Sequence, residues 1–127
     1  MSLLAFPLLF ASSGSFAQSS DPCKTLASTL DDNMCAKQKF DIQDHQLNNL
    51  YQALLKQLSS SGENAGATKK LLIAAQRKWV EFRDADCTAQ SALYKGGSVA
   101  PQIDEGCMTA HTEQRIKELQ LGNWQAG

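Results

Sequence analysis

The stretch whose reading decides the fold is TLDDNMCAKQKFDIQDHQLNNLYQALLKQLS, residues 29–59. Within it Leu30, Met34, Leu47, Leu50, Tyr51, Leu54, Leu55 and Leu58 recur at spacings of three and four, with polar residues between them. That period predicts a long amphipathic helix with one apolar face. Thr29 followed three places later by Asp32 resembles a capping box, in which hydroxyl and carboxylate satisfy the unpaired N–H groups of a helix start. Cys35 then falls in the second turn.

Downstream, Ser59-Ser60-Ser61-Gly62-Glu63-Asn64-Ala65-Gly66 carries two glycines and no periodic apolar residue, so it reads as a flexible, exposed connection. A second helix is expected from about Thr68 to Tyr94, with Leu71, Leu72, Ala75, Trp79, Phe82 and Leu93 on or near its apolar face. Gly96-Gly97-Ser98 ends it, and Pro101 opposes continuation. A third helix is expected from near Ile103, carrying Met108, Ile116 and Leu119 and ending by Gly122. A short helical turn around Lys24 to Ser28 precedes the first. No segment alternates with period two, so the fold class is all-α: an up-and-down bundle of three principal helices with a short extra N-terminal helix. Trp79 belongs to the core, and Trp124 is either an exposed anchor or a cap on the end of the bundle.

The leading residues have a different character. Residues 1–17 contain no charged side chain, and Leu3, Leu4, Phe6, Leu8, Leu9 and Phe10 form an apolar run followed by small and polar residues. This is the pattern of a secretory signal peptide, with Ser15 and Ala17 suited to cleavage after Ala17. The run from Leu3 to Ala11 is far short of the ~20 residues that cross a bilayer, which argues against stable membrane insertion. Residues 18–127 are then a single helical domain of about 110 residues, a size at which one small core is expected.

Composition excludes some functions. Twelve Lys and Arg against thirteen Asp and Glu give a formal charge of −1, without the basic surface that nucleic-acid binding needs. In an exported chain the four cysteines, Cys23, Cys35, Cys87 and Cys107, read as two disulfides. Cys87 near the end of one helix and Cys107 near the start of the next meet across an antiparallel hairpin. Cys23 and Cys35 would lie ~18 Å apart on one continuous helix, so their bond requires a break, which the cap at Thr29 supplies. Cys23–Cys35 with Cys87–Cys107 is therefore preferred to the crossed pairings. No Cys-x-x-Cys pair occurs and His45 and His111 fall in no metal-ligand spacing, so neither a metal nor another cofactor is expected.

No catalytic constellation emerges. There is no Gly-x-Ser-x-Gly, no phosphate loop and no free thiolate, so the reading is non-enzymatic. Asp44, Asn48, Gln76, Arg83 and Arg115 are read as structural polar residues. Asp44 lies along the apolar stripe that holds Leu47 and Tyr51, and Arg83 lies one turn after Trp79, so carboxylate and guanidinium can face each other across two helices and fix their register. His45 and His111 have no neighbouring nucleophile and read as solvated or partly buried.

Taken together, Cys35, Asp44, Leu47-Asn48, Tyr51, Ala75-Gln76-Arg77, Trp79, Arg83-Asp84, Cys87, Tyr94, Gly96-Gly97-Ser98, Cys107, Thr112, Arg115 and Leu119 form a pattern that resembles the LprI-like family of bacterial envelope proteins, which is named for a lysozyme inhibitor. The resemblance spans about Cys23 to Leu121. It implies a secreted, helical, disulfide-containing protein and, as partner, lysozyme or another glycan-cleaving enzyme. The inhibitor that gives the family its name is lipid-anchored, and no lipid-attachment cysteine stands here, so the expected location is soluble, periplasmic or secreted.

Under that resemblance the best candidate for binding is the tip Tyr94, Lys95, Gly96, Gly97 and Ser98. It offers an aromatic, a cation and small residues on a base held by Cys87–Cys107, which lowers the entropy cost of docking. Lysozymes cut glycans with a pair of carboxylates in a cleft, so Lys95 and Ser98 set against those carboxylates would occlude substrate. The alternative is a structural or interaction module of the cell envelope with another protein or cell-wall partner.

Overall fold

A computed structural model describes residues 21–25, 27–60 and 62–124 of the chain. The expected leader, residues 1–17, and its cleavage point lie outside the described residues. Among the described residues four helices follow one another: α1 (Pro22–Thr25), α2 (Thr29–Ser59), α3 (Glu63–Ala92) and α4 (Ala100–Leu121). No strand occurs among the described residues, so the all-α expectation with three long helices and a short N-terminal one holds. No helix among them is long and apolar enough to cross a membrane.

The helix termini explain where the sequence reading was one or more residues out. The N-cap of α2 is Ser28, not Thr29. Its backbone is extended (φ −152°), its Oγ accepts from the Asp31 N–H at 3.1 Å, and Asp31 Oδ2 reaches back to the Ala27 N–H at 3.2 Å. The cap is thus one residue earlier than expected, with Asp31 closing on Ala27 rather than on the cap's own N–H, because Thr29 is already helical and a cap residue must not be.

The connection expected over Ser59–Gly66 is a correction. Gly62, at φ +97°, turns the chain in a backbone region that favours glycine, and α3 begins at Glu63. Ala65, expected in a loop, is buried in the same core cluster as Leu58 and Leu72, because a side chain that small lets helix and core approach closely. At the other end α3 stops at Ala92 rather than Tyr94. The last helix starts at Ala100 rather than near Ile103, with Pro101 inside its first turn, where a missing N–H costs nothing.

Pairings between helices set their directions. Cys87 joins Cys107 and Gln76 meets Arg115, so α3 and α4 are antiparallel. Asn33 bonds Ser98 and Gln57 bonds Trp124, so α4 runs parallel to α2. Most of the packing is α4 on α2 and then α4 on α3, with α2 and α3 touching least.

Leu47, Leu54, Leu58, Ala65, Leu72 and Leu119 form the core, with Tyr51, Trp79, Ile116 and Trp124 packed against it. Trp124 closes the far end of the bundle: its Nε1 donates to the Leu119 carbonyl at 2.7 Å.

The inward face of α3 differs from the one that apolar spacing indicates. Its buried residues are Ala65, Leu72, Gln76, Arg83 and Cys87, a regular seven-four-seven-four repeat. Leu71 and Phe82 sit one position off this stripe and are 71% and 60% exposed, and Leu93, beyond the helix end, is 86% exposed. Leu30 and Met34 at the start of α2 are exposed as well. Two of the inward positions of α3 hold polar side chains, so a search for apolar residues selected their neighbours.

Candidate functional site

Three groups of polar residues stand out, and the fold places each differently. The first is internal. Gln76 and Arg83 are buried on α3, Arg115 is nearly so on α4, and Asp44 and Asn48 stand on the side of α2. Arg83 Nε donates to Asp84 Oδ1 at 2.9 Å, and Asp44 Oδ1 lies 3.6 Å from its Nη1. Asn48 Nδ2 donates to the other oxygen of Asp44 at 3.3 Å. Arg115 Nε donates to Gln76 Oε1 at 2.9 Å, and its Nη1 donates to Glu118 at 3.1 Å.

Trp79 links the two halves of this group: the Arg83 guanidinium lies 5.0 Å and that of Arg115 6.0 Å from its ring. Cations over an indole face gain from its quadrupole, more so where water is excluded. All five residues named from sequence therefore meet in one ladder across three helices. Asp84 and Glu118, on the same helices as the two arginines, supply further acceptors to their guanidiniums.

The second group is the tip, residues 93–99, which connects α3 to α4. It is a run of tight turns: the Tyr94 carbonyl accepts from Gly97 N–H at 2.9 Å, and the Gly97 carbonyl accepts from Ala100 N–H at 3.3 Å. Gly96 has φ +85°, a backbone region that favours glycine, and a Cβ at Gly97 would crowd the Tyr94 oxygen at 3.1 Å. Tyr94, Lys95 and Ser98 are exposed, as are Leu93 and Val99 beside them. Two ties hold the base: the Cys87–Cys107 disulfide, and a bond of 2.9 Å from Asn33 Nδ2 to the Ser98 carbonyl. Sequence reasoning found the disulfide but not Asn33, which lies 65 residues away.

The third group lies on the α3–α4 seam. His111 Nε2 is 2.7 Å from Asp86 Oδ2, which also accepts from Gln90 Nε2 at 2.9 Å. These bonds, that from His111 foremost, hold the Asp86 carboxyl below its ordinary value. Phe82 meets the imidazole edge to face at 5.4 Å. The Cys87 and Cys107 sulfurs and a ring nitrogen of His111 all lie within 4.8 Å of one another. The signal in the sequence was the four-residue spacing from Cys107 to His111, one helical turn.

Open grooves also mark the surface among the described residues. One of about 590 Å³ runs between α2 and α3, past Tyr51, Gln52, Leu55, Gln76 and Arg77. One of about 300 Å³ lies between α2 and α4, beside Asp32, Lys39 and Thr109.

A small all-helical chain with two disulfides, Cys23–Cys35 and Cys87–Cys107, is the class these features define. Residues 20–119 match the family described as Lysozyme inhibitor LprI, and the chain belongs to that family. It is similar to a protein of Rhizobium meliloti (strain 1021) described only as uncharacterized, at 29% identity over 120 residues, covering 88% of this chain and 86% of the relative. No solved structure gives a significant match. The disulfides and the family are consistent with an extracellular or periplasmic location.

Proposed function

We propose that this is a soluble, exported, non-enzymatic protein that binds lysozyme or a related glycan-cleaving enzyme and inhibits it by seating the 93–99 tip in the substrate cleft. One observation carries the reading. The tip is an exposed, glycine-shaped projection with Tyr94, Lys95 and Ser98 outward, and its base is tied both covalently and through Asn33. A projection already held in one shape loses little entropy on docking. The Lys95 ammonium supplies the charge that a pair of cleft carboxylates attracts, and Tyr94 with Leu93 and Val99 supplies apolar contact area. With a net charge of −1 the chain exerts only a modest long-range pull on a cationic enzyme, so affinity rests on these short-range contacts.

The test is lysis of bacterial cells by lysozyme, followed as turbidity, with and without the purified protein. Dose-dependent inhibition that falls at least tenfold in Lys95→Ala/Ser98→Ala is expected. Full inhibition by that variant removes the tip mechanism, and no inhibition at large molar excess removes the inhibitor reading. The second reading, an envelope interaction module, draws support from the α2–α3 groove with its mixed lining of Tyr51, Leu55, Gln52 and Arg77.

A further inference from the structure

We propose that reduction of the Cys87–Cys107 bond converts the α3–α4 seam into a site for a thiophilic divalent cation of the zinc type, held by Cys87 Sγ, Cys107 Sγ and His111. Asp86 acts there as the carboxylate that orients the imidazole.

The donors come from two rigid helices. Cys107 and His111 are one turn apart on α4, so their side chains leave the same face. Cys87 approaches from α3, with a Cα–Cα distance to Cys107 of 5.5 Å. The two sulfurs and a ring nitrogen of His111 already lie within 4.8 Å of one another. Zinc takes thiolate sulfur at ~2.3 Å and imidazole nitrogen at ~2.0 Å, which puts neighbouring donors of a tetrahedron roughly 3.5 Å apart. Rotation of the cysteine side chains, with the helices in place, covers the difference.

Asp86 is the second observation. Metal-bound histidines commonly donate their other ring N–H to a carboxylate, which fixes the tautomer and raises ligand basicity. His111 Nε2 stands 2.7 Å from Asp86 Oδ2, so Nδ1 is the nitrogen left with a lone pair for the metal. Gln90 holds the same carboxylate oxygen at 2.9 Å, and Phe82 braces the ring. An open cavity of about 200 Å³ lined by Gln90, Cys107, Ala110, His111 and Gln114 gives a cation its way in and leaves room for a water as fourth ligand. Among the described residues, Cys23–Cys35 has no such third donor within the same reach.

The chemistry balances with a dithiol as reductant. Its thiolate attacks Cys107 Sγ, the sulfur that faces the cavity, and Cys87 leaves; its second thiol resolves the mixed disulfide. The reductant ends as a disulfide and the protein as two thiols, having gained two electrons and two protons. The cation then displaces both thiol protons to solvent, giving a neutral set of two thiolates, one imidazole and the dication. The metal replaces the lost covalent bond and keeps α3 fastened to α4.

The experiment uses the full chain carrying Cys23→Ser/Cys35→Ser, reduced with a phosphine under anaerobic conditions and titrated with Co(II). One equivalent is expected to bind with thiolate-to-cobalt charge-transfer bands and tetrahedral d–d bands, both abolished by stoichiometric Zn(II). Asp86→Asn is expected to weaken binding 10- to 100-fold, and His111→Ala at least tenfold. Absence of the charge-transfer bands, or undiminished affinity in His111→Ala, overturns the proposal. Should the double-serine chain not fold, the reduced wild-type protein is alkylated with and without Zn(II) and mapped by mass. Selective protection of Cys87 and Cys107 supports the site, and equal labelling of all four cysteines overturns it.

Discussion

Arg83 Nε donates to Asp84 Oδ1 at 2.9 Å, an ion pair between sequence neighbours on α3, while Asp44 of α2 stands 3.6 Å from the same guanidinium. The nearer partner is thus the one on its own helix. The guanidinium also lies over Phe40 at 5.4 Å and Trp79 at 5.0 Å, so its burial rests on aromatic packing as much as on charge. Arg83→Ala is expected to cost about 2–3 kcal/mol, since it removes packing and leaves a cavity. Asp44→Asn is expected to cost less than ~0.5 kcal/mol, because that carboxylate is partly solvated and its ion pair is long. Urea denaturation of both variants checks the contrast, and equal losses would mean that the cross-helix charge pair dominates.

The two disulfides close loops of similar size, 12 and 20 residues of separation, so chain entropy assigns each about 3 kcal/mol. Their local effects should differ. Cys87→Ser/Cys107→Ser releases the start of α4 and is expected to lower amide protection along both helices at the tip. Cys23→Ser/Cys35→Ser is expected to lose protection only in α1 and the first turns of α2, since α1 packs on α2 alone. Hydrogen exchange by fragment distinguishes these patterns.

Glu105 gives a pH dependence. Burial pushes its carboxyl up from the ordinary 4.5, with Lys37 opposing. A raised acid favours folding in its protonated form, so its contribution is fully present below about pH 4.5 and is lost as pH rises through the folded value. Glu105→Gln is therefore expected to raise Tm at pH 7 and to leave it unchanged near pH 3. A Tm gain that is the same at both pH values would contradict burial as the cause.

The far end of the bundle depends on Gly122. A Cβ there would collide with the Trp124 indole nitrogen, whose bond to the Leu119 carbonyl closes α4. Gly122→Ala is expected to displace the indole, red-shift tryptophan emission and cost about 1–3 kcal/mol. Unchanged emission would show that the ring shifts without leaving its place.

How much of this was legible in the sequence varied with the physics involved. The period of α2 was readable because Leu47, Leu54 and Leu58 face inward and are apolar. On α3 the inward face lies one residue from the apolar one, because Gln76 is met by Arg115 of α4 and Arg83 is held by Asp84 and the Phe40 and Trp79 rings. Local sequence carries no trace of Arg115 meeting Gln76. Small residues misled in the same way: Ala65 looked like loop and is core. The disulfide pairing was recoverable because it needs only helix lengths and a break. His111 with Asp86 was not, since the contact spans 25 residues and joins two helices side by side. The glycine-rich tip was legible as a turn, and its tether to Asn33 was not.

The placement of the two disulfides has a consequence for variation. Cys23–Cys35 and Cys87–Cys107 belong to the end of the bundle that carries the tip, as the Asn33–Ser98 bond shows, whereas Leu54, Leu58, Ala65, Leu72 and Leu119 fill the opposite half. Side-chain fit holds one end, and covalent bonds hold the other. Substitutions near Leu58 or Leu119 must conserve volume, but around residues 93–99 the sulfur bridges relieve the surface residues of structural duty. That end can therefore vary at its exposed side chains Leu93, Lys95 and Val99, while the turn geometry holds Gly96 and close packing holds the other half.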